Sequence, residues 1–109
     1  MKVIVLPEVH DYLDSLIPIL YEKGYFGFVD TAINYVDDLL DDIKTNLPTR
    51  PHKPAPEYFD KYGKNMYYAT FRKNKQTVWS AFFTKYSEND NTTFLVRYIA
   101  NNHTVAQHL

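Results

Sequence analysis

The hydrophobic period of this chain changes once, and it changes across a segment that holds four of its six prolines. Before the prolines, apolar residues recur at helical spacing. Val9, Leu13, Leu16, Ile17 and Leu20 form one stripe, and Val29, Ala32, Ile33, Val36, Leu39, Leu40 and Ile43 form a second. After the prolines the period is two, and the residues become β-branched and aromatic over 66–73, 77–85 and 92–100. A helical stripe cannot keep one face buried in a strand, nor a strand pattern in a helix, so the chain must place helices first and strands second. That order defines an α+β fold.

The first helix is expected over residues 8–23, with Pro7 suited to its first turn and Gly24 to its stop. Pro18 lies inside the pattern and lacks a donor, which predicts a kink or a restart near residues 14–17. The second helix is expected over residues 26–46, with Asp30, Asp37, Asp38, Asp41 and Asp42 on its outer side. No Asp-x-Asp-x-Asp-Gly loop accompanies those carboxylates, so they read as a solvated face rather than a metal or acid–base site. Residues 47–65 contain Pro48, Pro51, Pro54 and Pro56, a density that predicts no regular element. Phe59 and Tyr62 are expected to pin this crossover to the body. Residues 2–6 supply a first strand in the same sheet. The expectation is a single domain, 1–109, in which an N-terminal strand and helical hairpin pack on a C-terminal antiparallel sheet, in the order β-α-α-β-β-β. One sheet face covers the hairpin, and the other is left with more aromatic surface than a solvated face needs.

Several function classes are disfavoured at once. The chain has no cysteine, which excludes a disulfide framework, a thiol nucleophile and Cys-type zinc sites, and fits a cytoplasmic location. No apolar run approaches the ~18 residues of a membrane span, and the residues before Pro7 are too few for a signal-peptide core. There is no Gly-rich phosphate loop, no G-x-S-x-G elbow and no H-E-x-x-H. His103 and His108 are five apart, which is not a face-sharing helical pair, so no metal and no cofactor is expected.

The net charge of −1 hides a division. Up to Asp60 there are five bases against eleven acids, and beyond it seven bases against two acids. A basic second half attracts phosphates, whereas chance grouping on solvated surfaces has no such consequence. Basic and aromatic residues interleave there: Tyr68, Arg72, Lys73, Lys75, Trp79, Lys85 and Arg97. Cationic grooves with stacking rings hold single-stranded nucleic acid, although core packing explains many of the same rings. The last strand runs into Asn101, Asn102 and His103. An imidazole at a sheet rim can act as general acid or base near neutral pH, and the two amides can bond a phosphate or base edge. The bland alternative makes Asn-Asn-His a turn of residues tolerant of the left-handed conformation.

The element order, together with residues 67–72, residues 77–83 and the closing Arg97, Tyr98, Ile99 and Asn-Asn-His, resembles the RelE/ParE superfamily of bacterial toxin–antitoxin modules. The resemblance spans nearly the whole chain and rests on pattern and order. It implies a toxin neutralised by a cognate antitoxin. RelE-like members cleave messenger RNA on the ribosome, and the resemblance places His103 as acid or base with Arg72 and Arg97 stabilising charge, a metal-independent endoribonuclease. Lys73, Lys75, Lys85, Trp79, Tyr68, Asn101 and Asn102 are then the nucleic-acid-binding candidates. ParE-like members instead poison DNA gyrase by binding. In this chain Tyr68 and Thr70 stand where RNA-cleaving relatives carry lysines. A noncatalytic binding module is therefore the alternative.

Overall fold

The computed structural model describes residues 1–22, 29–73, 75–105 and 108–109. Strand β1 (Lys2–Val5) leads into helix α1 (Pro7–Glu22), and helix α2 (Val29–Asn46) returns antiparallel beside it. The expected stop at Gly24 and the expected helix start at Phe26 lie outside the described residues. Pro18 does not divide α1, which continues through it as one element. Asp14, whose carbonyl loses its donor to the proline ring, and Pro18 itself are both exposed, so water can satisfy that carbonyl. Leu13, Leu16, Ile17 and Leu20 meanwhile pack both halves onto one core.

The proline-rich crossover is more ordered than its composition suggests. A 3-10 turn covers Leu47–Thr49, β2 (Lys53–Pro54) pairs antiparallel with Tyr67 and Tyr68, and a 3-10 helix covers Glu57–Tyr62. Proline costs a sheet little at an edge, where its missing donor would face solvent, and β2 is an edge strand. Strands β3 (Tyr67–Arg72), β4 (Val78–Glu88) and β5 (Asn91–Asn101) form the expected meander. The β4–β5 connection is shorter than the sequence suggests. Asn89 and Asp90 both adopt positive φ, 49° and 66°, the geometry of a two-residue hairpin turn that matches strand twist.

The sheet order is β1-β5-β4-β3-β2. The sheet is mixed rather than purely antiparallel, because β1 runs parallel to β5, with Lys2 opposite Thr93 and Val5 opposite Val96. The helical hairpin, the crossover and strands β2 to β4 all lie between these two strands in sequence, and parallel neighbours require such a long connection. One face of the sheet carries Phe71, Trp79, Phe83, Phe94 and Val96 into a core shared with Leu13, Val36, Leu39 and Ile43. The opposite face is not open. Phe59, fully buried, stacks on Phe82 with ring centroids 4.3 Å apart, and Met66, Tyr62, Tyr68 and Tyr98 complete a second apolar layer. The crossover is pinned as the sequence predicts, and it covers much of the aromatic surface expected to be free.

One irregularity fixes the site. Phe82 pairs with Tyr98 and Phe83 with Val96, so Arg97 has no partner on β4. This β-bulge leaves Val96 in the helix-side core and turns both Arg97 and Tyr98 toward the outer layer, breaking strict alternation.

Candidate binding site

The residues expected to cut RNA do not converge. Arg72 lies opposite Val78 at one end of the sheet, and His103 reaches the same end, its Nε2 3.5 Å from the Thr77 hydroxyl. Arg97 sits at the bulge, more than four β4 residues away and two strands across, roughly 16 Å by strand rise and spacing. Its guanidinium also points the other way. Nε donates to the Thr84 hydroxyl and an Nη to the Tyr86 hydroxyl, each at 2.9 Å, and both partners lie farther from Arg72. The Arg97 stem passes beneath Gly63, whose φ of +154° suits glycine and where a Cβ would meet Arg97 Cδ at 2.7 Å. Arg72 donates to the Lys75 carbonyl at 3.0 Å and is exposed.

The nucleic-acid candidates are also dispersed. Trp79 is 3% exposed, inside the helix-side core, and its indole N–H donates to the Tyr35 hydroxyl at 2.9 Å, so it offers no stacking surface. Tyr68 is half-buried against Phe82 in the outer layer. Lys73 lies 5.3 Å from the Tyr35 ring on α2, and Lys85 lies 3.4 Å from His52 Nε2 and near the Tyr67 and Phe94 rings. Both lysines thus belong to the helix side, whereas Arg72 and Arg97 belong to the outer side. Lys75 is exposed in the β3–β4 connection. Asn74 beside it lies outside the described residues. The basic half of the sequence is therefore not one basic face.

Asn-Asn-His is not a left-handed turn. Asn102 opens a single helical turn, α3 (Asn102–Val105), and the Asn101 carboxamide oxygen accepts the His103 N–H at 2.9 Å in the manner of a helix cap. The Asn102 side chain is spent on structure. Its oxygen accepts the Val78 N–H at 2.9 Å and its nitrogen donates to the Gln76 carbonyl at 3.0 Å, tying the chain end to the β3–β4 hairpin.

A different group of residues does converge. Where β1 leaves the sheet after Val5, β5 continues, and the first turns of α1 stand beside it. The space between α1, the 3-10 helix Glu57–Tyr62 and β5 is a cleft of about 470 Å³. Glu8 and Tyr12, one helical turn apart, border it from α1, and Lys61 and Tyr62 border it from the crossover. Arg97 and Tyr98 border it from the bulge, and Leu6, Val9 and Ile99 are its aliphatic wall.

The Tyr62 and Tyr98 rings are parallel, 5° apart in plane and 3.7 Å between centroids. Burial pushes the Tyr98 phenol far above its ordinary value, and its hydrogen bond to Tyr62 and the nearby Tyr62, Tyr12 and Tyr58 phenols push the same way. Burial also raises Tyr12. Tyr98 and Tyr12 therefore stay protonated at neutral pH and can donate. Lys61 lies over the Tyr58 ring at 4.2 Å and the Tyr62 ring at 5.4 Å. The ion pair among the described residues is Arg50–Asp42, far from this cleft in sequence and side-chain contacts, so neither Lys61 nor Arg97 has a described carboxylate within 4 Å. Tyr12 and Tyr62 were detectable as aromatic residues outside the helical stripe and within a proline-rich crossover. Their joining with Glu8 and Lys61 depends on tertiary structure that spacing does not encode.

Compared with protein-family models, curated proteins and solved structures, the chain matches none. Among the described residues no helix is long and apolar enough to cross a membrane.

Proposed function

We propose that this chain is the toxin of a toxin–antitoxin pair of the RelE/ParE kind, and that it acts by binding a protein target rather than by cutting RNA. The toxin reading rests on the order of elements and the C-terminal pattern that carry the resemblance. The choice of binding over cleavage rests on one observation: Arg97 is clamped by Thr84 and Tyr86 and directed away from Arg72 and His103. A phosphoryl-transfer site needs its charge-stabilising and proton-transferring groups within hydrogen-bond reach of one phosphate. A protein target such as DNA gyrase, and a neutralising antitoxin, are the partners this reading implies.

Expression of the chain alone should arrest growth, and co-expression with a cognate antitoxin should relieve the arrest. Normal growth during solo expression would sink the toxin reading. The double variant Arg72→Ala, His103→Ala should remain toxic with messenger RNA intact. The second reading, RNA cleavage, draws on the placement of Arg72 and His103 at one end of the sheet. Loss of toxicity in a folded double variant, with RNA cleavage seen only in the parent, would favour that reading.

A further inference from the structure

The cleft at the β5 bulge has the composition of a small-molecule site. Its ~470 Å³ falls in the range of pockets that enclose compact organic ligands. Its walls are aliphatic side chains and tyrosine rings, and the stacked Tyr62–Tyr98 pair gives a flat aromatic border. The charged residues at its border are Lys61, Arg97 and Glu8, two positive against one negative. Neither cation has a described carboxylate within 4 Å; Arg97 donates to the Thr84 and Tyr86 hydroxyls, so Lys61 is the cation with no hydrogen-bonded partner among the described residues. The Tyr12, Tyr62 and Tyr98 phenols border the same space and can donate or accept hydrogen bonds.

We propose that this cleft binds a planar aromatic group bearing one carboxylate or phosphate. The ring lies against the tyrosine rings, which attract another aromatic by offset or edge contact. The anion meets the cationic and phenolic donors, where charge-assisted bonds are stronger than neutral ones. An aliphatic acid would lose the ring contacts, and a neutral aromatic would lose the charge-assisted bonds. The chemistry is shared by a free aromatic acid and by the C-terminal carboxylate of an aromatic residue in a polypeptide.

The test is titration of the full chain, labelled for amide NMR, with benzoate, phenyl phosphate, N-acetylphenylalanine, benzyl alcohol and inorganic phosphate. Saturable shifts are expected at Val9, Tyr12 and Ile99, with the aromatic anions binding at least ten-fold tighter than benzyl alcohol or inorganic phosphate. Tighter binding of N-acetylphenylalanine than of benzoate assigns the ligand to a chain terminus, and the reverse order assigns it to a free acid. Lys61→Gln and Tyr12→Ala, both at exposed positions, should each weaken aromatic-anion binding several-fold while the remaining amide spectrum is retained. Equal binding of benzyl alcohol and benzoate, absence of saturable shifts, or unchanged affinity in both variants would overturn the proposal. The titration does not depend on growth arrest, so its failure and that of the toxin reading are separate results.

Discussion

Replacing Phe59 with alanine tests whether the crossover is part of the folding unit or a strap laid over it. Phe59 is fully buried and stacks on Phe82, with Tyr58 edge-on at 4.9 Å. A phenyl side chain buries on the order of 150–250 Å². At ~25 cal/mol per Å² that is about 4–6 kcal/mol for the whole side chain. The methyl left behind and partial closure of the gap bring the expected loss to about 3–5 kcal/mol. A domain of this length is stable by about 5–15 kcal/mol in total, so the variant should be marginal. Urea unfolding followed by Trp79 fluorescence is a demanding assay, because Trp79 lies on the helix side of the sheet and away from Phe59. If the two layers fold as one unit, the Trp79 transition moves to much lower urea. A Trp79 transition shifted by less than about 1 kcal/mol would refute the reasoning, and would mean that the outer layer detaches without disturbing the helix-side core.

Two further outcomes follow from the site. Asn102→Ala removes the acceptor of the Val78 N–H and the donor to the Gln76 carbonyl, and should cost about 1–3 kcal/mol in urea unfolding, with faster amide exchange at Val78. Tyr98 gives the chain an alkaline weakness: its folded phenol holds a proton that the unfolded chain releases near pH ~10, so its contribution is intact below that pH and is lost as pH rises toward the folded value. Melting temperature should therefore fall as pH rises above about 10, and Tyr98→Phe should flatten that fall; an equal fall in parent and variant would exclude Tyr98 as its source.

Much of the fold was legible because it rests on periodicity. The stripes through Leu13 and Leu39 and the alternation through Trp79, Ala81 and Phe83 mark buried faces that the structure confirms. The direction of β1 was not legible, since the pattern of residues 2–6 is the same for either orientation of pairing. The order within the crossover depends on Phe59 finding Phe82, a contact between distant residues that no local propensity encodes. The bulge was hidden for a related reason. Strict alternation puts Arg97 on the face opposite Tyr98, and only the pairing of Phe82 with Tyr98 and Phe83 with Val96 shows that it does not apply. The candidate basic face failed at the same level: Lys73 is adjacent to Arg72 in sequence, but strand register and helix packing put Lys73 and Lys85 on the helix side and Arg72 on the outer side.

The parallel pairing of β1 with β5 has a consequence for synthesis. Lys2 leaves the ribosome long before its partner Thr93. Until Thr93 to Val96 emerge, the nascent helical hairpin has no complete sheet on which to bury Leu13, Val36 and Leu39. Pairing across so long a span is entropically costly and slow to form. The growing chain thus carries an exposed apolar stripe until β5 has been made, and in that interval aggregation competes most directly with folding.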